Sequence, residues 1–375
     1  LSTMLLVTLV GTINIYVGGQ DYITTLHPKD YNVSVVLPKS TDQTEALLDK
    51  VQQVAQDTGL KKPNYTAYLY QSSFIMKLAG NDVTVPMQGE LNSDPSILTK
   101  SAGTITVINR QDYEKMTGEK IDLADDETLV YGKNVSLNKD QPLRVNGKDW
   151  NIKQLLPSNF THGKIPNPND VAMEQGLYMV VNDSKAVGLD AAHHYYIGIA
   201  SDTKGSKKFV EQVQLALRDT LDQGQAQDGS YAMASDRHSA EKSYQELTGT
   251  LLFIGVFLSV IFLLGAVLVI YYKQISEGYE DRDGFIILQK VGLDEKQTRS
   301  TIRKQILTVF FLPIIFAFLH IAAVFHMLRL IVALLGVTNL PLLIQTTLAT
   351  CGVFLLTYIL VFLLTSRSYR KIVAR

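Results

Sequence analysis

The sequence predicts an α-helical membrane protein: four transmembrane helices, with a large extracytoplasmic α+β domain inserted between the first and second. Three observations lead there. Hydrophobic residues make up 46% of the chain, yet they gather in four runs, 1–17, 247–272, 306–327 and 340–364. At ~1.5 Å of rise per residue, runs of this length suit a hydrocarbon core of about 30 Å. Between the first two runs lies a long polar region with ordinary globular composition and room for its own core. Basic residues are also unevenly placed, crowding the loop after the second run and the tail after the fourth.

The second run holds no Asp, Glu, Lys, Arg or His and closes on Tyr271 and Tyr272, where an interfacial aromatic belt sits. The loop behind it carries Lys273, Arg282, Lys290, Lys296, Arg299, Arg303 and Lys304, and the tail carries Arg367, Arg370, Lys371 and Arg375. Basic loops stay inside, so both belong to the cytoplasm and the polar region to the exterior. That region, residues 20–245, has an excess of six acidic residues, and the remainder has an excess of five basic ones. An acidic exterior weakly favours cationic ligands.

The boundaries follow. Residues 1–19 form the first membrane helix, expected to be truncated at its start because Leu1 begins in apolar sequence without a Met. Residues 20–240 form the extracytoplasmic domain, 241–273 a stalk and second membrane helix, and 274–304 a cytoplasmic segment. The third helix spans 305–328, a short external loop 329–339, the fourth helix 340–366 and a cytoplasmic tail 367–375. Pro313 and His320 fall inside the third helix, and His320 is expected to hydrogen-bond a neighbouring helix. The single cysteine, Cys351, lies in the fourth helix, so no disulfide staples the external region.

In the external region, residues 33–37 read as a strand. A helix follows, with Ser40 or Thr41 as its N-cap, Leu47, Leu48, Val51, Val54 and Ala55 on one face, and Gly59 closing it. Residues 67–78 read as a second strand. The pattern recurs at the far end, with a strand at 194–200, a helix at 207–221 around Phe209, Val213 and Leu217, and a strand at 231–234. These two halves, 30–78 and 177–235, predict one base beside the membrane. A β-rich insertion, 80–176, contributes short alternating runs at 83–86, 104–108, 128–131 and 143–145. Asn146-Gly147 is a hairpin signal between Val145 and Trp150. The segment 157–170, rich in Pro and Gly, reads as a long loop, the kind of element that carries recognition.

The cytoplasmic segment carries the chemistry of greatest interest. Glu280, Asp281 and Arg282 form a charged cluster, Phe285 and Leu288 follow at helical spacing, and Lys290-Val291-Gly292 closes the stretch. With a large loop before it and two apolar spans after it, this segment resembles the FtsX-like permease family, the membrane subunits of MacB-like ABC transporters. It is most similar to the C-terminal part of a bacitracin-exporter-type permease. The resemblance implies that the segment docks on a separate ATP-binding cassette ATPase, with Glu280, Arg282, Phe285, Leu288, Lys290 and Gly292 as the coupling residues.

It also implies a multi-pass protein of the bacterial plasma membrane that works by mechanotransmission. Its implied partners are a peptide or peptide-lipid ligand, membrane lipid and a histidine kinase, and its implied process is antimicrobial-peptide resistance or export. Alternatives of another class are a sensor that signals to the kinase without transport and a regulator of a cell-wall hydrolase in division. No Gly-x4-Gly-Lys-Ser/Thr loop occurs, so ATP hydrolysis is expected on a partner chain. No catalytic, cofactor or metal residues are assigned, and no nucleic-acid partner. His193-His194 would point to opposite faces of a strand, and Asp125-Asp126-Glu127 reads as a solvated turn.

Overall fold

The computed structural model describes residues 2–37, 43–86, 103–168, 173, 175–223, 229–290, 295–337 and 339–373. In chain order these form α1 (Ser2–Leu26), β1 (Tyr31–Leu37), α2 (Thr44–Asp57), β2 (Asn64–Ala79), β3 (Asp82–Thr84), β4 (Gly103–Asn109) and α3 (Arg110–Thr117). There follow β5 (Glu127–Lys133), β6 (Leu143–Val145), β7 (Lys148–Leu155), β8 (Gln175–Val181), a 3-10 turn (Ser184–Val187) and β9 (His193–Ala200). The last elements are α4 (Lys207–Gln223), β10 (Tyr231–Asp236), α5 (Arg237–Lys290), α6 (Glu295–Leu334) and α7 (Leu340–Val373). The chain divides into two units, Leu1–Gly19 with Tyr244–Arg375, and Gln20–Ser243.

The first unit is helical, and among the described residues four helices are long and apolar enough to cross a membrane. Its core joins Leu5, Leu6 and Val10 of α1 to Ile314, Ala317, Ile321, Leu328 and Val332 of α6 and to Leu343, Phe354 and Tyr358 of α7. The α6 residues recur at steps of three, four and seven, which is one stripe of a helix. Off this stripe Leu312, Ile315 and Leu319 are exposed, apolar side chains that suit a lipid-facing surface. Small residues allow close approach: a Cβ on Gly255 of α5 would lie 2.5 Å from Thr12 Oγ1, and one on Gly18 would lie 2.4 Å from Val337.

Helix α6 is longer than hydropathy alone suggests. Residues 329–334, placed in the external connection above, continue α6, because Val332 extends its buried stripe and Gly336 at φ +87° supplies the left-handed turn that ends it. His320 does not bond a neighbouring helix among the described residues. Its Nδ1 lies 2.7 Å from the Phe316 carbonyl oxygen of its own helix.

The second unit is built on one long strand. The N-terminal part of β2 pairs antiparallel with β9, β9 with β1, and β1 with β10. One face of this base is covered by α2 and α4, which share a core of Leu47, Val51, Val54, Phe209, Val213 and Leu217 with Tyr31, Val33, Val35, Ile197 and Ile199. Alternate residues of β1 and β9 reach that core, as period-two alternation demands. Helix α2 begins at Thr44 after Gln43, whose side chain makes no capping bond, and Ser40 and Thr41 lie outside the described residues.

The C-terminal part of β2 turns into a second structure. Its register against β4 shifts between Ser73 and Met76, an irregularity that bends a strand. From there the pairings run β2, β3, β6, β7, β5, β8, β4 and back to β2, closing a seven-stranded barrel. Every strand sends side chains inside, among them Met76, Val83, Ile105, Val130, Val145, Trp150 and Met179. The Asn146-Gly147 turn has φ of +48° and +82°, the paired left-handed geometry of a type I′ hairpin, and sets Val145 opposite Lys148. Helix α3 lies outside, packing Tyr113 and Met116 with Ile165 and Phe160 of the long loop.

Candidate functional site

Helix α5 starts within a joint of the second unit. The Asp236 carboxylate accepts from the backbone N–H of His238 at 3.2 Å and of Ser239 at 2.9 Å, which satisfies donors that a helix start leaves orphaned. Arg237 donates its backbone N–H to the Asp30 carbonyl at 2.9 Å and its guanidinium to Glu241 at 2.9 Å and to Thr24 of α1 at 3.3 Å. His27, just past α1, lies 3.0 Å from Ser235 Oγ. Its burial, with the Arg237 charge in support, lowers the imidazole below its ordinary pKa.

The long loop reaches the same joint. The Asn167 backbone N–H donates to the Thr25 carbonyl at 2.8 Å, and the Asn167 amide donates to the Tyr178 hydroxyl of β8 at 2.6 Å. One asparagine therefore links a barrel strand to the last turn of α1. The sequence marked this segment as a loop, but nothing in its composition indicated Thr25 as a partner.

Farther along α5, Tyr244 donates its hydroxyl to the Ile15 carbonyl of α1 at 3.0 Å. Buried positions Thr248, Gly255, Ser259 and Ala266 then recur at steps of seven, four and seven. This face of α5 is small or hydroxylated, while Phe253, Phe257, Leu264 and Leu268 are exposed. Tyr271 and Tyr272 contact each other edge-on, with ring centroids 5.8 Å apart.

The helix does not stop at Lys273. Its backbone continues unbroken to Lys290, so Glu280, Arg282, Phe285, Leu288 and Lys290 all lie on α5 itself rather than on a separate helix. Gly292 lies outside the described residues. Over 54 residues α5 is ~80 Å long at the rise of an ideal helix.

The other residues singled out by sequence fall elsewhere. His193 and His194 point to opposite faces of β9. His193 Nε2 lies 3.2 Å from the Gln71 amide nitrogen, and His194 stacks on Tyr70 with centroids 5.0 Å apart. Burial pushes His194 down to about 4, with the adjacent His193 contributing. Asp125 and Asp126 sit in a turn where each accepts from an asparagine amide, of Asn182 and Asn151 respectively, at 2.8 Å. Glu127 is held below the ordinary carboxylate range by its hydrogen bond from Lys153.

No family model matches the chain. It is similar to the ABC transporter permease protein YxdM of Bacillus subtilis, 31% identical over 75 residues, which is 20% of this chain and 12% of that protein. It is similar also to the bacitracin export permease protein BceB of Bacillus subtilis, 25% identical over 185 residues, which is 49% of this chain and 26% of that protein. The matches thus span well under two thirds of the length of these curated relatives. With four membrane-capable helices and a large sheet-rich unit, the chain is distantly homologous to Bacillus ABC transporter permeases.

Proposed function

We propose that the chain works in an ABC transporter permease of the FtsX-like and MacB-like type, passing mechanical work between a separate ATPase chain and the sheet-rich unit. The observation that carries this reading is the continuity of α5, one helix from Arg237 in the joint to Lys290 in the basic segment. A helix without a break transmits displacement along its axis, whereas a flexible link between Lys273 and Ser276 would absorb it. The basic loop and tail orient that segment toward the cytoplasm of a bacterial plasma membrane and the sheet-rich unit away from it. The process is resistance to, or export of, antimicrobial peptides, in keeping with the bacitracin export for which one relative is named.

Phe285 and Leu288, one helical step apart, are the apolar anchor for the ATPase, and Glu280, Arg282 and Lys290 orient the docking. Truncating a small buried anchor costs about 2 kcal/mol or more, and exposed ion pairs only about 0–1 kcal/mol. Phe285→Ala with Leu288→Ala is expected to weaken ATPase co-purification at least tenfold and to abolish peptide resistance, while surface labelling shows normal insertion. Wild-type ATPase capture and resistance in a correctly inserted double mutant would refute the coupling role.

A further inference from the structure

At one end of the base sheet, four segments, 27–30, 61–63, 201–208 and 236–242, are tied together. The Tyr31 hydroxyl accepts from the Ser206 backbone N–H at 3.0 Å and donates to the Thr203 carbonyl at 3.0 Å. The Lys61 carbonyl accepts from Ser201 Oγ at 2.7 Å and from the Asp202 backbone N–H at 3.2 Å. With the bond from Arg237 to the Asp30 carbonyl, these contacts make one continuous rim. The four segments hold eight basic and four acidic residues, an excess of four basic ones inside a region whose overall excess is six acidic ones. The rest of residues 20–245 therefore carries an excess of ten acidic residues, and the charge of the unit is strongly one-sided.

All four acids of the rim are engaged: Asp202 with Lys62 at 3.2 Å, Asp30 with Lys204, Glu241 with Arg237 at 2.9 Å, and Asp236 as the cap of α5. Lys29, Lys61, Lys207 and Lys208 are left without an acidic partner among the described residues, and the last three are exposed. Lys207 and Lys208 also open α4, whose first turn holds no acidic residue, so their charges add to the positive end of the helix dipole. Like charge gathered in this way repels itself, and an anionic surface relieves it. The rim is also where both apolar helices meet the sheet, since α1 runs into it through residues 27–30 and α5 starts in it at Arg237. Arg237 and Leu247, where the apolar run of α5 begins, are ten positions apart, about 15 Å along an ideal helix. An interfacial layer of roughly 5–8 Å and a screening length of about 8 Å together cover that distance, so the rim lies within the field of charged headgroups.

We propose that this rim is a docking surface for anionic phospholipid headgroups of the adjoining membrane leaflet, with Lys29, Lys61, Lys207 and Lys208 as the contacting cations. The proposal rests on the reading of the sheet-rich unit as an extracytoplasmic body held close to a bilayer, and it names what that body rests against. Basic segments beside a membrane are drawn to anionic lipid over about a screening length. The acidic remainder of the unit is repelled by the same surface, so the unit's own charge orients it on the leaflet.

The test follows amide hydrogen exchange of the full chain in nanodiscs of phosphatidylcholine, alone or mixed with phosphatidylglycerol. Peptides covering 61–63 and 201–208 are expected to exchange at least threefold more slowly when phosphatidylglycerol is present, and to lose that protection at high salt. Lys61→Gln, Lys207→Gln and Lys208→Gln combined are expected to abolish the difference between the two lipids, with unchanged exchange in β4 and β8 as the measure of folding. Lys77→Gln, Lys120→Gln and Lys139→Gln, which remove three exposed lysines elsewhere in the unit, are expected to keep it. Equal exchange of the parent chain in the two lipids overturns the docking surface without recourse to any variant. So does protection that survives the triple substitution at the rim, protection lost equally in the control, or protection by inorganic phosphate in phosphatidylcholine discs, which would mark a site for a soluble anion. ATPase capture and thiol labelling of Lys139→Cys test the coupling role and the orientation separately, so failure here is distinct from failure of either.

Discussion

Asn14 of α1 donates its side-chain amide to Thr347 Oγ1 of α7 at 3.2 Å and to the Val10 carbonyl at 2.8 Å, while Thr346 donates its hydroxyl to Asn14 Oδ1. The amide is thus satisfied on both ends inside an apolar helix core. Hydrocarbon offers no alternative partner, so such a bond fixes which helices are neighbours. Asn14→Leu and Thr347→Val, combined in a double-mutant cycle under denaturing-detergent titration, are expected to show a coupling of roughly 0.6–2 kcal/mol. A coupling near zero would mean that the contact does not hold the helices together.

Two glycines of α5 provide a matched comparison. A Cβ at Gly255 would collide with Thr12, whereas nothing lies within 4 Å of one at Gly265. Gly255→Leu is expected to destabilise the helical unit by about 1–3 kcal/mol through overpacking, with Gly265→Leu neutral or slightly stabilising. Equal melting temperatures for the two variants would contradict the close α1–α5 approach.

Acid should weaken the sheet-rich unit. His194 titrates near 6.5 when unfolded but is pushed to about 4 in the fold, so the unfolded chain binds more protons between these values. The stability of the neutral form is complete above pH 6.5 and is lost as pH falls toward 4, by up to about 3 kcal/mol. His194→Phe keeps a ring on Tyr70 and removes the titration. Its melting temperature should fall less than that of the parent between pH 6.5 and 4, and parallel curves would rule this histidine out as the cause.

Gln214 guards an edge. Among the described residues β10 pairs with β1 only, and the Gln214 side chain donates to the Ala232 carbonyl at 2.5 Å and accepts from the Ala234 N–H at 2.8 Å. A side-chain amide thereby occupies the backbone groups that a further strand would take. Gln214→Leu is expected to cost about 1–3 kcal/mol and to promote concentration-dependent association, read by light scattering. A monodisperse variant of unchanged stability would show that the edge is protected by other means.

Orientation can be read with single cysteines in a Cys351→Ala background. Trp150 is wholly buried and unsuited as an external probe, whereas Lys139 is exposed. An impermeant thiol reagent on intact cells should label Lys139→Cys and spare Lys290→Cys and Arg370→Cys; the reverse pattern would invert the topology.

Much of the sheet-rich unit was legible because its strands alternate and its turns carry glycine. The expected strand at 33–37 runs Tyr31–Leu37, and the expected helix at 207–221 runs Lys207–Gln223. Barrel closure was not legible, since it depends on pairings such as β3 with β6 and β5 with β7, which link short strands far apart in sequence. Helix α3 was missed because only Tyr113 and Met116 mark its apolar face, although Gly118 at φ +77° is an ordinary stop. In the membrane helices, apolar length was plain, but the role of Asn14 was not, because a polar residue in an apolar run does not name its partner. The proposed docking residues rest on the resemblance alone, and the continuity of their helix with the second apolar run came only from the backbone.

Because β1 lies between β9 and β10, the base sheet cannot assemble until residues 193–236 have been made. At synthesis rates of roughly 5–20 residues per second, the first strand waits about 10–40 s for its neighbours. The barrel, whose strands all lie between residues 64 and 181, can close earlier. The order of birth is then barrel first and base second, completed just as the apolar part of α5 begins to emerge. A nascent chain arrested before Tyr231 would hold a finished barrel beside a base in which β1 has β9 on one side and an open edge on the other, with one face of α4 stripped of part of its cover. That interval, more than the finished fold, is when a chaperone or a protease would find this protein.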